Sequence, residues 1–280
     1  GERITYEKVL NEIDETGYAG TELGDWGFMP TEPGKLSEEL KSRGLELVGS
    51  WVNVHMHDPA KRQEDVDLAV MTARLMATVG GTTPRVVLGN DPFVDPVRTE
   101  FSGRIRPEHE MSAEQWKSFI KGAETIAKVV KEETGLSTVL HQHVGTWVET
   151  PEETRRFLEN ANAELVGLCF DSGHWAFGGG DPVEGLQIWR DRIWHVHFKG
   201  YNEKVGEQAR REGWGAIRAW EAGVFSELEE AAIDFPALAR VLDETDYDGW
   251  VVVEQDVLPG MGKPKESAQR NRDYLKSIGL

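Results

Sequence analysis

Apolar residues along this chain recur in two alternating rhythms. Tyr6, Val9, Leu10 and Ile13 fall at helical spacing and Gly17 follows as a stop. The segment Gly20-Thr21-Glu22-Leu23-Gly24 then reads as a short strand. A helix is predicted over Leu36–Arg43 and closed by Gly44, a strand over Leu45–Val52, a helix over Asp65–Val79 and a strand over Arg85–Leu88. Ser112 with Gln115 three residues on forms a capping box. It opens a helix whose apolar face is Phe119, Ile120, Ala123, Ile126, Ala127 and Val130. After a strand over Ser137–Val144, Thr150-Pro151-Glu152-Glu153 supplies an N-cap, a proline at the first helical position and an acidic third position. Strands over Val166–Phe170, Ile193–Lys199 and Trp250–Val253 complete the pattern, with helices opening at Asp181-Pro182 and Asp234-Phe235-Pro236 between them.

Short, nearly continuous apolar strands between helices imply a parallel sheet covered on both faces. Seven strands are predicted, one fewer than a (β/α)8 TIM barrel needs. The eighth should precede Tyr6, where residues 1–5 are too few and too polar to supply it. The expectation is an α/β barrel, a single domain over residues 1–280, with its first strand missing from the chain. Segments 89–110 and 200–233 are long non-strand insertions expected at the mouth.

Polar residues cluster where the strands end. His141 and His143 flank Gln142, and His195 and His197 flank Val196; a spacing of two on a strand puts both side chains on one face. Asp171 ends an apolar strand and is followed by Ser172-Gly173-His174, and Glu254 and Asp256 end the last strand. In a barrel the C-terminal strand ends converge on one mouth, so His141, Asp171, His197 and Glu254 are expected to meet as ligands of one metal ion. Imidazole mixed with carboxylate suits Mn²⁺, Co²⁺, Fe²⁺ or Zn²⁺ better than Ca²⁺. His174 or His195 are candidates to orient those ligands. Taken one at a time, each residue also has an ordinary structural role open to it: a hydrogen-bonded core histidine, a turn-capping aspartate, a glutamate paired with an arginine.

Charge and composition narrow the partners. The formal net charge of −18, from 49 acidic and 31 basic residues, disfavours a nucleic-acid partner, because phosphate backbones require basic stripes. A metal-dependent nuclease on a barrel of this type is disfavoured for the same reason. One cysteine, Cys169, allows no intramolecular disulfide and reads as a small core residue. No stretch has the apolar length of a membrane span and no leader-like segment opens the chain, so a cytoplasmic location without membrane contact is expected.

Several motifs resemble one family. Residues 6–30, containing GYAGTELGDWGFMP, resemble the start of the inosose dehydratases. His141-Gln142-His143-Val144-Gly145-Thr146, Asp171-Ser172-Gly173-His174, His195-Val196-His197-Phe198-Lys199 and Glu254-Gln255-Asp256 resemble that family's later motifs in order. More widely, they resemble the sugar phosphate isomerase/epimerase superfamily of xylose isomerase-like TIM barrels. The resemblance implies a Mn²⁺- or Co²⁺-dependent lyase of inositol catabolism, with Zn²⁺, Fe²⁺ or Mg²⁺ as alternatives. Such an enzyme dehydrates a keto-polyol through an enediolate. Many relatives use a Glu, Asp, His, Glu quartet, whereas His141 stands in the first of those positions here. In this reading His143 is the candidate base or acid, His174 and Lys199 hold substrate oxygens, Glu254 joins the catalytic group as well as the ligands, and Glu22 binds hydroxyls. Trp26, Trp51, Trp147 and Trp175 lie just beyond strand ends, and the first three are candidate stacking surfaces for a polyol. The chain departs from the family at Ser226–Ala232, where a glycine-rich turn is usual, and at Gly200, where an acidic residue is common. A ketose 3-epimerase or isomerase, a β-eliminating enzyme on a keto-glycoside, and a barrel without activity are the competing readings; the fold type also allows a homo-oligomer.

Overall fold

The computed structural model describes residues 4–90 and 92–280. Its strands are β1 Gly20–Glu22, β2 Glu46–Asn53, β3 Arg85–Gly89, β4 Ser137–His141, β5 Val166–Asp171, β6 Ile193–Phe198 and β7 Val251–Val253. They form one sheet in the order β1-β2-β3-β4-β5-β6-β7, and every neighbouring pair is parallel. All six residues of β5 are buried, as a strand with helices outside and packed side chains inside must be.

The sheet is rolled into a barrel. Glu22 on β1 reaches His195 on β6, with Oε1 2.7 Å from Nε2, a contact that a flat sheet six strands wide could not make. Lower in the interior, Arg85 Nε on β3 donates to the Trp194 carbonyl of β6 at 3.1 Å. Val87, Val139 and Cys169 pack there against Trp51 and Trp194. Cys169 is fully buried, and burial pushes its thiol up to about 12, so it serves as a core residue. Among the described residues β7 and β1 are edge strands, and a seam separates them. Residues 4 and 5 carry no strand, and residues 1–3 lie outside the described part.

The outer helices follow their caps. Ser112 and Gln115 close a reciprocal capping box on Ala113–Thr134, and Thr150 and Glu153 do the same on Pro151–Asn160. One sequence expectation changes. The strand predicted over Ser137–Val144 stops at His141, because the backbone turns away: His143 N donates to Val148 O at 2.9 Å, and Gly145 adopts φ 79°. Inside the insertions are helices Pro96–Phe101, Glu203–Glu212 and Ala216–Glu221. The C-terminal helix Pro264–Ser277 had no legible apolar stripe, since it turns Ser267, Asn271 and Leu275 inward at a spacing of four.

Candidate metal centre and active site

Four strand ends deliver four donors to one point. His141 Nε2 lies 3.2 Å from His197 Nδ1 and 3.8 Å from both Asp171 Oδ2 and Glu254 Oε2. His197 Nδ1 is 2.9 Å from Glu254 Oε2 and 3.9 Å from Asp171 Oδ2. All four donor atoms fall within 4.8 Å of one another. Pleat geometry explains the convergence: His141 pairs with Cys169 and Asp171 with His197 in the sheet register, so all of them face the barrel interior.

Asp171 divides its two oxygens. Oδ1 accepts from His174 N at 2.7 Å and caps the short helix Ser172–Phe177, whereas Oδ2 is buried without a donor. A carboxylate oxygen left bare among imidazole nitrogens and a second carboxylate is what a divalent cation satisfies. Two nitrogens with two oxygens suit a transition metal rather than Ca²⁺. Burial, and after it the charge on Glu254, push Asp171 up to about 8, a repulsion that a cation between the two carboxylates would remove. Burial also disfavours charge on Glu254, but Lys199 and the imidazoles of His141 and His197 outweigh it and hold that carboxyl well below its ordinary range.

Beside this quartet stand two imidazoles of a different character. His143 and His174 overlap with ring centroids 3.8 Å apart. Burial, followed by the proximity of His141, drives His143 down to about 3; burial and His143 put His174 well below its usual value. Both are therefore neutral near pH 7. His143 Nδ1 lies 2.7 Å from Val144 O and so carries the ring proton, which leaves Nε2 as a free acceptor. The His174 ring makes the opposite choice: Nδ1 accepts from Val144 N at 3.4 Å, and Nε2 is buried without a partner.

Lys199 is fully buried, with Nζ 2.7 Å from Glu254 Oε1 and 2.8 Å from Asp256 Oδ2. Burial disfavours its charge, but Glu254 and Asp256 more than restore it and raise its pKa. The ammonium also sits 4.7 Å from the Phe225 ring centroid. A cavity of about 1050 Å³ opens beside these groups, lined by Glu22, Trp51, Asn53, His141, His143 and Glu254, and it continues into the seam past Val251–Val253.

A model of the xylose isomerase-like TIM barrel family matches residues 6–278. The chain belongs to this family. Within it, the chain is 32% identical over 279 residues to an inosose dehydratase of Geobacillus kaustophilus, across 99% of this chain and 89% of the relative, and it groups with these enzymes. Among solved structures it resembles the IOLI protein with a bound zinc atom, at TM-score 0.72 and 18% identity, covering 99% of this chain and 94% of the other. It also resembles the probable 3-DHS dehydratase of Bacillus anthracis, at TM-score 0.71 and 17% identity, covering 98% and 94%. These two likenesses bear on the fold.

Within this xylose isomerase-like frame, the expected tryptophans separate. Trp51 crosses the barrel interior, 5.5 Å from the His141 ring and 5.9 Å from His143. Trp26 does not reach the cavity: positive-φ turns at Gly24 and Gly27 carry the segment outward, and Trp26 lines a surface groove with Pro33 and Met71. Trp147 faces His57 and the Arg98 guanidinium instead of the quartet, and Trp175 is buried in the core, its indole N–H on the Asp181 carbonyl. His55 is tied to Asp65 through its backbone N–H and its Nδ1.

Sequence reading missed Trp220 and Phe225. Trp220 stacks on His143 at 5.7 Å and donates Nε1–H to Asp256 Oδ2 at 2.6 Å, and Phe225 packs 4.8 Å from His174. Only their membership of an insertion expected at the mouth hinted at this. The unusual segment Ser226–Ala232 is anchored elsewhere, by a Glu227–Arg270 ion pair and by Leu228 N donating to Asn271 Oδ1 at 2.9 Å. No helix among the described residues is long and apolar enough to cross a membrane.

Proposed function

We propose that this enzyme is a divalent-metal-dependent carbon–oxygen lyase that dehydrates an inosose-type keto-polyol. The observation that carries the reading is the quartet of His141, Asp171, His197 and Glu254 within 4.8 Å, with the neutral, Nε2-free His143 at its side. Those four residues would hold the cation, Mn²⁺ or Co²⁺ by the family resemblance, with Zn²⁺, Fe²⁺ or Mg²⁺ as alternatives. Bound there, a cation supplies Lewis-acid stabilisation of the oxyanion that develops when the α-proton leaves, worth several kcal/mol.

The chain's own groups do the rest. His143 Nε2 takes the proton α to the ketone, since its low basicity keeps it unprotonated and its bond to Val144 O fixes the ring. Lys199 holds the β-hydroxyl, which departs as water with the proton that His143 has taken, and is itself held in place by Glu254 and Asp256. His174, with Nε2–H unspent, holds a substrate oxygen. Trp51 offers its face to the ring C–H groups, and Glu22 lines the same cavity and accepts from a hydroxyl. We place the reaction in the cytoplasm and in inositol catabolism, with a small-molecule substrate and no nucleic-acid partner. One domain over residues 1–280, able to form a homo-oligomer, completes the proposal.

The deciding experiment incubates Mn²⁺-loaded protein with scyllo-inosose and follows the ultraviolet absorbance of a conjugated diketone. Its appearance, abolished by chelator, is the expected result. Absence of product, together with solvent deuterium entering ketohexoses, would replace the lyase by the epimerase, which shares the same proton abstraction.

A further inference from the structure

Glu22 sits on β1, and no neighbour in sequence explains its surroundings. Its Oε1 lies 2.7 Å from His195 Nε2 and 3.0 Å from His197 Nε2, so one oxygen is shared by two imidazoles of β6. An ionised carboxylate only accepts, which requires both ring nitrogens to be N–H donors. Burial opposes the charge on Glu22, but His197 and His195 outweigh it and hold the carboxyl well below its ordinary range.

The backbone is built around this contact. Pairing of β1 with β2 runs Thr21 to Leu47 and then Glu22 to Gly49, skipping Val48 through a bulge that re-aims the Glu22 side chain. At Gly49 a Cβ would stand 2.7 Å from Glu22 Oε1, so the carboxylate occupies space that only glycine leaves. Two separate local features therefore serve the placement of one oxygen.

We infer that Glu22 is a positioning residue that fixes His197 in the Nε2–H tautomer and so delivers its Nδ1 lone pair to the quartet. The assignment rests on the metal reading above. His195 shares the same oxygen and prevents the carboxylate from rotating away. Glu22 Oε2 has no imidazole partner and remains for a substrate hydroxyl. A second cation among Glu22, His195 and His197 is the rival arrangement, since these three also lie within 4.8 Å of one another. It would require His197 to surrender both ring protons and bridge two ions.

Nitrogen-15 NMR of the histidine rings in the full chain, titrated with Zn²⁺, tests this directly. One Zn²⁺ per chain, with His197 ligated through Nδ1 and protonated at Nε2, is expected. In Glu22→Gln the dissociation constant for Zn²⁺ should rise by roughly 10–100-fold, the range for losing a group that orients a metal ligand. Ligation through Nε2, binding of two Zn²⁺ per chain, or a Glu22→Gln constant within about twofold of the parent would overturn the inference while leaving the metal centre standing. Zn²⁺ that leaves the His197 resonances untouched would instead remove the metal reading itself, and this inference with it. The ring NMR needs no variant, so it decides the matter even if Glu22→Gln does not fold.

Discussion

Lys199 and His197 grip opposite oxygens of one carboxylate: Lys199 Nζ is 2.7 Å from Glu254 Oε1, and His197 Nδ1 is 2.9 Å from Glu254 Oε2. Glu254 thereby joins the metal quartet to a buried ammonium. Replacing Lys199 by Met keeps the quartet and removes the ammonium that holds the departing hydroxyl. Turnover of inosose should fall by about 10²-fold or more, while metal content by elemental analysis stays at the parent level. Unchanged turnover would remove Lys199 from the chemistry.

Asp171 is expected to behave differently. Asp171→Asn keeps the Oδ1 acceptor that caps the helix Ser172–Phe177 but removes the charge of the bare oxygen facing the two imidazoles. Co²⁺ affinity should drop by at least about tenfold, with turnover falling in parallel and far-ultraviolet circular dichroism unaltered. Full metal occupancy with normal turnover would refute the quartet.

Stability should carry a pH signature from Glu149. Its carboxylate is fully buried and joins the mouth loop to the first insertion, accepting from Gly145 N at 2.7 Å and from Gly103 N at 2.6 Å. Burial, against the opposing Arg98 charge and both N–H groups, raises it from an ordinary 4.5 to about 7. A raised carboxyl means that the folded chain binds more protons than the unfolded one between those values. This contribution is complete below about 4.5 and is lost as pH rises through about 7, amounting to about 3 kcal/mol at most. Urea midpoints measured from pH 5 to 8 should therefore fall more steeply in the parent than in Glu149→Gln; parallel curves would contradict the shift.

Gly89 tests the barrel interior. A Cβ there would stand 1.9 Å from Trp51 Cη2, so Gly89→Ala must displace the indole that flanks His141 and His143. Overpacking of this kind costs about 1–3 kcal/mol. A lowered urea midpoint with a rise in KM is expected, and a variant matching the parent in both would show that Trp51 neither packs there nor lines the pocket.

The sequence alone indicated the barrel and the convergence of His141, Asp171, His197 and Glu254. Continuous apolar strands between capped helices admit few architectures, and polar residues that end such strands have one place to go. That logic held for Asp171, His197 and Glu254 because each lies on a strand or at its last turn, where alternation dictates direction. It weakened at His143, whose ring is aimed by the loop closing at Val148, and at Trp26, swung outward by two glycine turns. Tertiary structure alone decided that Glu22 would meet His195 and His197 across 173 and 175 residues, and that Trp220 would roof His143. Periodicity is a property of neighbours along the chain. Contacts across the barrel depend on how far the sheet curls, on a bulge one residue long and on where the insertions fold back, none of which leaves a repeating pattern.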